Sequence, residues 1–322
     1  MTPTPRRTAL ITGIAGQDGS YLAELLLERG YRVTGIVRPG TSTDRIAEIL
    51  DRLELRSADL LDEAEMIGLL ESVQPDEVYN LAGHSFVPTS WNRRDMAGDV
   101  TALGASRFLS AIKQVDPAIR FYQASSSEIF GNAREEPQSE RTPPNPRNPY
   151  GEAKAAAHLA TTNARDGLGL FAVSGILYNH ESPRRGLEFV SRKISAGVAR
   201  IALGRGDTIP MGSLDAERDW GFAGDYVRAM WLMLQQDAPT DYVIATGLPH
   251  TVRDMCRIAF ERAGLDYERH VSVDPSLVRA PDAVRLVGDS TKARNVLGWQ
   301  PEVSFDELIA MMVDADIERL QG

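Results

Sequence analysis

Tyr150 and Lys154 are the residues of this sequence whose types and spacing most clearly suggest a reaction. In NPYGEAKAAAHLA they stand four positions apart, so a helix carries both side chains on one face, one turn apart. A free phenol has a pKa of about 10 and is a poor base at neutral pH, but a neighbouring ammonium stabilises its anion. Lowering that pKa by about 2 to 3 requires about 3–4 kcal/mol of differential stabilisation, which Lys154 and a second positive charge beside the phenol could supply together. The pair therefore predicts a tyrosine that transfers protons with help from Lys154.

A run of hydroxyls followed by a carboxylate precedes this pair in the chain. Residues 123–131 read QASSSEIFG, which places Ser126 two positions before Glu128 at the end of a β-rich run. If the strand stays extended through Ser127, the two side chains face the same side, because alternate residues of a strand face together. The spacing predicts that Ser126 and Glu128 form a second pair of polar groups in one site.

A glycine-rich turn near the N-terminus predicts a binding site for a dinucleotide. ITGIAGQDGSYLAELLLERG places Gly13, Gly16 and Gly19 between a β-rich run and an amphipathic stretch. Glycines at such a turn let backbone N–H groups and the helix N-terminus approach a pyrophosphate. A tight turn that binds nothing is the alternative interpretation.

Two further residues bear on which dinucleotide is bound. The second β-rich run ends at Arg38, where a site for NAD usually offers Asp or Glu to the ribose hydroxyls. Arg38 favours the 2′-phosphate of NADP, and a solvated arginine is the alternative. We expect Asp59 to end the third strand and bond the adenine, or else to cap the next helix.

The order of apolar patterns predicts the fold class. β-rich runs at 8–15, 31–37, 77–83, 119–125 and 170–179 alternate with stretches of helical periodicity, which indicates repeated βα units. The later part predicts a helix over 225–236, a strand over 241–246 and a helix over 251–263. We therefore expect an α/β protein with a Rossmann-like doubly wound parallel sheet and a smaller interleaved α/β substrate domain. The predicted domains are 1–178 with 221–247 returning to it, and 179–220 with 248–322.

Composition excludes several classes of function. The chain has 322 residues, a net charge of −10 and a single cysteine, and no cluster of its five histidines has metal-site spacing. The acidic balance argues against nucleic-acid binding, since that relies on clustered Lys and Arg. We find neither a long apolar run nor a signal-peptide pattern, so we expect no membrane association, no metal and a cytoplasmic location.

These parts together resemble the extended short-chain dehydrogenase/reductase family, through TGIAGQDG, YNLAG, the serine-rich strand end and YGEAK. Longer stretches narrow the resemblance, over nearly the whole chain, to the GDP-mannose 4,6-dehydratases of that family. These stretches are GQDGSYLAELLLERGY, FYQASSSEIFG, NPYGEAK, ILYNHESPRRG, LDAERDWGFAGDYVRAMWLMLQ and DYVIATG. The resemblance implies conversion of GDP-D-mannose to GDP-4-keto-6-deoxy-D-mannose, with tightly bound NADP recycled in each turnover. The hydride leaves C4 and returns to C6, and water is lost across C5 and C6.

The resemblance also implies roles for individual residues. The catalytic set falls on Ser126, Glu128, Tyr150 and Lys154. The cofactor residues expected from the glycine turn and the resemblance are Gly13, Gly16, Gln17, Asp18, Gly19, Arg38, Asp59, Leu60, Leu81, Ala82, Gly83, Ser85, Tyr150, Lys154, Asn179, His180 and Arg185. The substrate residues expected are Ser126, Glu128, Asn179, Glu181, Lys193, Arg218, Arg279 and Asp282. We expect neither His84 nor His180 to act as an acid or base, and Arg184 to be either an anion contact or a surface ion pair.

The sequence departs from the family in two places, and two other functions remain open. Pro39 replaces the second of two arginines, and the arm after Arg38 is shortened, so we expect either a homodimer or a homotetramer. A dimer would pair the helix near 95–115 and the helix of Tyr150 in a four-helix bundle. His84 and Trp91 leave open another nucleotide sugar, such as a GDP-heptose. A nucleotide-sugar 4-epimerase has no use for Glu128, and a silent NADP sensor typically lacks the tyrosine or the lysine.

Overall fold

The computed structural model describes residues 6–83, 99–278 and 284–322, and the side chains of 99 and 100 are not described. Its main sheet has seven parallel strands in the order β3, β2, β1, β4, β5, β6, β10. This confirms the predicted Rossmann-like doubly wound sheet. The strands are β1 Thr8–Thr12, β2 Arg32–Ile36, β3 Glu54–Arg56, β4 Glu77–Asn80, β5 Arg120–Ala124, β6 Ala172–Leu177 and β10 Tyr242–Ile244.

Smaller sheets and helices complete the described part of the chain. Their strands are β7 Asn179–Glu181, β8 Ile209–Met211, β9 Glu217–Phe222, β11 Pro249–Thr251 and β12 Val271–Val273. β9 lies between β7 and β11, and β8 pairs with β12. The α-helices are α1 Gln17–Glu28, α2 Glu63–Val73, α3 Gly104–Val115, α4 Pro149–Leu168, α5 Val190–Ala202, α6 Ala223–Leu234, α7 Val252–Arg262, α8 Tyr267–His270 and α9 Phe305–Gln321.

Both faces of the main sheet are buried, as its uninterrupted apolar strands require. In β1 every residue is buried, with Ala9 and Ile11 packing on one face and Leu10 on the other. The first face is covered by α1 and α6, and the second by α2, α3 and α4. The carboxyl ends of β1, β4 and β5 therefore meet at one edge between two helical layers, where ligands of such sheets bind.

A separate apolar core lies under the smaller sheets. It joins Ile194 of α5, Trp220 of β9, Phe260 of α7 and Ile309 of α9. The connection from β9 runs directly into α6 and then into β10, so the chain returns to the main sheet after building this second core. Within the described ranges, none of the helices has the length and apolar character needed to span a membrane.

Candidate active site

The glycine turn after β1 leaves a backbone cradle at the start of α1. Gly13 has φ +71°, and a Cβ there would lie 3.1 Å from the Ala82 nitrogen. A Cβ on Gly19 would lie 2.3 Å from the Gly13 oxygen, so α1 approaches the turn too closely for any side chain. The N-cap of α1 is Gly16, and no side-chain oxygen of the described residues caps the helix. Backbone N–H groups at an uncapped helix start suit a phosphate anion.

A buried polar network fixes the edge of the sheet beneath this cradle. The Thr12 hydroxyl donates to Asn80 Oδ1 at 2.7 Å, and Asn80 Nδ2 donates to Gln123 Oε1 at 2.8 Å. The Thr12 hydroxyl also accepts the backbone N–H groups of Leu81 and Ala82, each at 3.0 Å. Three neighbouring strands are thereby held in one arrangement, and Leu81 and Ala82 have fixed positions beside the glycine turn.

Tyr150 and Lys154 lie one turn apart in α4, as their spacing predicts. Lys154 is 6% exposed, its Nζ donates to the Ala124 carbonyl at 2.8 Å, and Nζ lies 5.8 Å from the centre of the Tyr150 ring. Burial lowers the pKa of Lys154 to about 8, and the charge of Asp18 partly opposes this change. The Ala124 carbonyl at the end of β5 thus fixes the ammonium group close to the Tyr150 ring.

The surroundings of Tyr150 raise its pKa to about 12. Burial is the largest cause, and the Glu128 and Asp18 carboxylates act in the same direction, while the Ser126 hydroxyl and Arg185 act in the opposite direction. The expected lowering requires a second positive charge besides the lysine. Without that charge, the cost of burying a phenolate exceeds the stabilisation that the neighbouring groups supply, and the phenol keeps its proton at neutral pH.

A short turn, and not an extended strand, brings Ser126 and Glu128 together. The strand β5 ends at Ala124, and Ser127–Ile129 form a 3₁₀ turn with Ser126 as its N-cap. The Ser126 hydroxyl accepts the backbone N–H of Glu128 at 3.2 Å. The expectation of an extended chain through Ser127 was wrong. The short hydroxyl side chain instead satisfies a free N–H at the turn, as Ser commonly does.

Asn148 belongs to this cluster and was missed from the sequence. Its Nδ2 donates to Glu128 Oε2 at 2.7 Å, while its Oδ1 accepts the backbone N–H of Gly151 at 2.8 Å and caps α4. One side chain therefore fixes both the start of the helix that carries Tyr150 and the orientation of the Glu128 carboxylate. Asn followed by Pro149 is a typical helix start, and that signal could have identified the cap but not the second contact.

The segment 180–184 lies along the N-terminal half of α1. His180 Nε2 is 2.8 Å from Asp18 Oδ2, Gln17 Nε2 donates to the His180 carbonyl at 3.1 Å, and the Ser182 hydroxyl donates to Gln17 Oε1 at 2.8 Å. The stretches GQDGSYLAE and NHESPRRG, which carry much of the family resemblance, are therefore neighbours in space. The structure brings the expected residues Gln17, Asp18 and His180 together.

Arg184 extends the contact between the segment 180–184 and α1, which we call the seam. It donates to the Ser20 hydroxyl at 3.0 Å and to Glu24 Oε1 at 2.6 Å, and its guanidinium lies 4.1 Å from the centre of the Tyr21 ring. The Arg184 side chain thus forms an ion pair with α1. Arg45, which sequence reasoning missed, donates to the Arg184 carbonyl at 2.7 Å and to the Ala15 carbonyl at 3.4 Å, beside the glycine turn.

Arg185 has a buried acidic partner. Its Nε lies 3.0 Å from Glu181 Oε2, and its guanidinium lies 3.5 Å from the centre of the Phe189 ring. Glu181 is 2% exposed and also accepts the Ser191 hydroxyl at 2.5 Å. Glu181, expected at the substrate, therefore orients Arg185, whose charge lies close enough to lower the pKa of Tyr150.

Three residues that we expected at strand ends lie outside those strands. Asp59 stands three positions beyond the end of β3, so it does not end that strand, and the N-cap of α2 is Asp62. Asn179 does not end β6 but begins β7, where it pairs with Trp220. Arg38 follows β2 and is exposed, and Leu60 is half-buried against the α2 and α3 core.

The other expected residues divide into two groups. Lys193 Nζ donates to the Pro210 carbonyl, and Arg218 donates to the Glu217 carbonyl at 2.6 Å at the edge of β9. Gly83 follows the Leu81 and Ala82 backbone. His84, Ser85, Trp91, Arg279 and Asp282 lie outside the described residues. Within 6–83, 99–278 and 284–322 we find no group of His, Cys, Asp or Glu arranged to hold a metal ion.

The comparisons with known proteins agree with this geometry. A sequence profile described as GDP-mannose 4,6 dehydratase matches residues 10–312. The chain is 47% identical to GDP-mannose 4,6 dehydratase 1 of Arabidopsis thaliana, covering 98% of this chain and 91% of the relative. It is 46% identical to the human GDP-mannose 4,6 dehydratase, covering 98% and 93%.

A solved structure supports the fold independently. The dTDP-glucose 4,6-dehydratase of Bacillus anthracis, solved in complex with NAD, aligns with a TM-score of 0.85 over 98% of each chain at 18% identity. That degree of identity speaks for the architecture alone. The profile and the relatives lead to one conclusion: the chain belongs to the GDP-mannose 4,6-dehydratase family.

Proposed function

We propose that the protein converts GDP-D-mannose to GDP-4-keto-6-deoxy-D-mannose. Membership of the family supports this substrate and product. The observation that carries the proposal is the placement of Glu128, a carboxylate beside the Ser126 cap and within electrostatic range of Tyr150. Oxidation at one carbon needs only the tyrosine and lysine, whereas loss of water needs a further group that removes a proton from carbon.

The first step uses Tyr150 and Lys154, and the Ser126 hydroxyl contacts the sugar O4. Tyr150 accepts the proton of the sugar O4 as a hydride leaves C4, and Lys154 stabilises the phenolate from the next turn of α4. A nicotinamide cofactor held by the glycine turn would supply the acceptor for that hydride and its return to C6, so no external reductant would be consumed, and its positive ring would add to the charge beside Tyr150. That charge is needed because the surroundings of Tyr150 raise its pKa to about 12.

The second step uses Glu128. The new C4 ketone acidifies the C5 proton, and Glu128 removes it as the C5=C6 bond forms and the C6–O bond breaks. Glu128 or Ser126 gives a proton to the departing hydroxyl, which leaves as water. After hydride return to C6, a solvent-derived proton is delivered to C5. Asn148 holds the Glu128 carboxylate by one amide donor throughout.

We propose NADP as the cofactor, held by the glycine turn and the residues around it. The uncapped start of α1 suits the pyrophosphate, and Leu81, Ala82 and Gly83 follow β4 at the sheet edge. We assign Ser85 to the same cofactor site on the family resemblance. Arg38 and Arg45 supply positive charge at the second strand, where a 2′-phosphate needs it. Competitive binding of NADP and NAD to the purified protein tests this preference, with Arg38→Gln reducing it.

For the substrate, we propose that Asn179 and Glu181 border the sugar side. Lys193, Arg218, Arg279 and Asp282 belong to the nucleotide side, with Arg185 near the phosphates. Arginine suits a diphosphate because its planar fork bonds two oxygens at once. We assign this role to the parts 179–220 and 248–322, and the cofactor to 1–178 with 221–247.

One experiment tests the proposed reaction. The protein is incubated with GDP-mannose in deuterated water without added reductant, and the product is followed by mass spectrometry. We expect loss of one water and gain of one solvent deuterium at C5. Glu128→Gln abolishes this product, while Glu152→Gln, an exposed carboxylate on α4, leaves it unchanged.

Two results contradict the proposal. Turnover without a change of product mass indicates a 4-epimerase. Recovery of unchanged GDP-mannose, together with dehydration of a GDP-heptose or another nucleotide sugar, means that the substrate assignment is wrong although the chemistry is right.

We also propose that the chain forms a homodimer through α3 and α4, or a homotetramer built from such dimers. The two helices pack side by side, and they expose Leu103 just before α3 and Leu159 and Leu168 on α4. Paired with a second copy, they complete a four-helix bundle, in which these leucines are buried.

A further inference from the structure

His180 lies in the seam between α1 and β7, and both of its ring nitrogens have acceptors. Nδ1 is 2.7 Å from the Tyr178 carbonyl, and Nε2 is 2.8 Å from Asp18 Oδ2. A carbonyl oxygen only accepts hydrogen bonds, so Nδ1 carries a proton. The protonation of the ring then depends on whether Asp18 is ionised.

The surroundings of Asp18, whose side chain is 22% exposed, favour its ionised form. Burial favours its neutral form, but the His180 charge and hydrogen bond, the Gln17 amide and Arg185 together lower its pKa to about 2. The Gln17 Nε2 group donates to Asp18 Oδ1 at 3.1 Å, so both carboxylate oxygens accept hydrogen bonds. An ionised carboxylate has no proton to give to Nε2, and Nε2 must therefore carry its own.

We infer that His180 is an imidazolium at neutral pH and is a positioning residue, which fixes the start of α1 to β7 through Asp18 and transfers no proton in the reaction. This inference rests on the proposed function for its catalytic consequence, but not for the charge of the ring. It identifies a partly buried ion pair, Asp18 with His180, as a structural part of the cofactor site.

The surroundings of His180 favour this role. Its ring stacks on Tyr226 of α6 with 4.7 Å between ring centres, and both of its N–H groups are used within the protein. Arg185 opposes the positive charge, Asp18 favours it, and the net effect is a raised pKa for His180 despite burial. A ring whose two N–H groups point at protein acceptors presents neither nitrogen to a sugar.

The Asp18 carboxylate of this ion pair also affects the pKa of Lys154. Burial lowers the pKa of Lys154, and Asp18 is the carboxylate that counters this effect. Asp18 therefore raises the pKa of two groups, His180 and Lys154. Because Tyr150 senses the charges of both Asp18 and Arg185, the seam is coupled to the phenol.

A second histidine of similar exposure provides an internal reference. His158 on α4 has no partner for Nδ1 among the described residues, and its Nε2 is 3.9 Å from Asp241 Oδ2. Partial burial lowers its pKa, and Arg165 lowers it further against the attraction of Asp241. We therefore expect His158 to be neutral where His180 is charged, although both are partly buried.

Nitrogen-15 NMR of histidine-labelled protein counts the ring protons directly. The chain has five histidines, and His180→Gln and His158→Gln assign these two rings. We expect two ring protons on most His180 rings and one on His158 at about pH 7, above the ordinary histidine pKa of about 6.5. In Asp18→Asn, we expect His180 to lose its Nε2 proton. A single ring proton on His180 of the unsubstituted protein at that pH overturns the inference, whatever the substrate of the enzyme is.

Kinetics of His180→Gln separate positioning from proton transfer. We expect NADP affinity to fall by about tenfold, as loss of one charge-assisted hydrogen bond implies, while the pH profile of kcat at saturating NADP keeps its shape. His270→Gln, at an exposed ring that contacts only the Asp207 carbonyl by hydrogen bond among the described residues, is the control for both measurements. Loss of one limb of the profile together with a fall in kcat of about 100-fold or more shows that His180 transfers a proton and is incompatible with our assignment.

Discussion

At the level of single residues, Asn148 ties the two halves of the catalytic cluster together. Its side chain caps α4 with one atom and holds the Glu128 carboxylate with the other. Because the two functions use different atoms, substitution can separate them. This makes Asn148 the most informative position outside the four expected catalytic residues.

Replacing Asn148 by serine and by alanine separates capping from positioning. Ser remains a good cap but is too short to hold Glu128, whereas Ala loses both contacts. We expect both variants to lose about 10- to 100-fold in kcat, as misplacement of a catalytic group does. Only Asn148→Ala should also lose about 1 kcal/mol in the free energy of unfolding. Urea unfolding and steady-state kinetics test this, and unchanged kcat in Asn148→Ser argues against the positioning role.

Lys154 sets the alkaline limit of activity. Its pKa is lowered to about 8, so the ammonium that supports the phenolate is present below about pH 8 and is lost above it. We expect kcat/KM to decline above that pH. Tyr150 contributes no decline there, because it acts as a base in the proposed first step and its deprotonation does not oppose that step.

Lys154→Arg tests the origin of this decline, since a guanidinium stays charged throughout the range. The alkaline limb measured with GDP-mannose should move beyond the accessible pH in this variant. A limb that persists at the same pH must belong to another group.

At the level of elements, α9 holds the loop 183–185 in place through Arg192 of α5. Asp316 of α9 forms two hydrogen bonds with Arg192 of α5, at 2.7 and 3.1 Å, and both residues are buried. Arg192 Nη1 in turn donates to the carbonyls of Pro183 and Arg185 at 2.9 and 2.7 Å. The C-terminal helix therefore shapes a loop that is distant in sequence.

Breaking this pair should destabilise the protein strongly. Asp316→Asn leaves the buried Arg192 charge without its carboxylate, and we expect a loss of about 3 kcal/mol in the free energy of unfolding. Asp314→Asn, two positions away in the same helix, breaks only an exposed pair with Arg262 and should give no measurable change. Urea titration of the two variants compares them, and equal stabilities contradict the account.

The elements themselves were largely predictable from the sequence. Periodicity alone predicts the helix over 225–236 and the strand over 241–246, which the structure places at Ala223–Leu234 and Tyr242–Ile244. The errors lie where one side chain decides the backbone. Ser126 ends a strand by capping a turn, and Asp62 rather than Asp59 caps α2. Contacts between distant segments, such as Arg184 with α1, have no local pattern and could not be predicted.

At the level of the whole molecule, Asp219 joins the two cores. This buried carboxylate on β9 accepts the backbone N–H groups of Thr246, Gly247 and Gly288, at 2.9, 2.9 and 3.3 Å, and the Thr246 hydroxyl at 2.6 Å. The strand that carries Arg218 is thereby fixed to the loop that leaves β10. The smaller sheets are thus anchored to the carboxyl edge of the main sheet.

The proposed dimer makes a prediction at the same scale. Leu159 on α4 is 59% exposed, and a lysine there would place a charge in the four-helix interface. We expect Leu159→Lys to sediment as a monomer. Val296→Lys, at a position 53% exposed and outside α3 and α4, should sediment like the unsubstituted protein. If both variants keep the mass of the unsubstituted assembly, another surface forms the interface.

The seam between α1 and the segment 180–184 has a consequence for synthesis of the chain. Its hydrogen bonds join residues separated by 160 to 165 positions. The glycine turn therefore leaves the ribosome well before the residues that complete its second wall. We therefore expect firm cofactor capture only after the segment beyond β7 has been synthesised and has packed against α1.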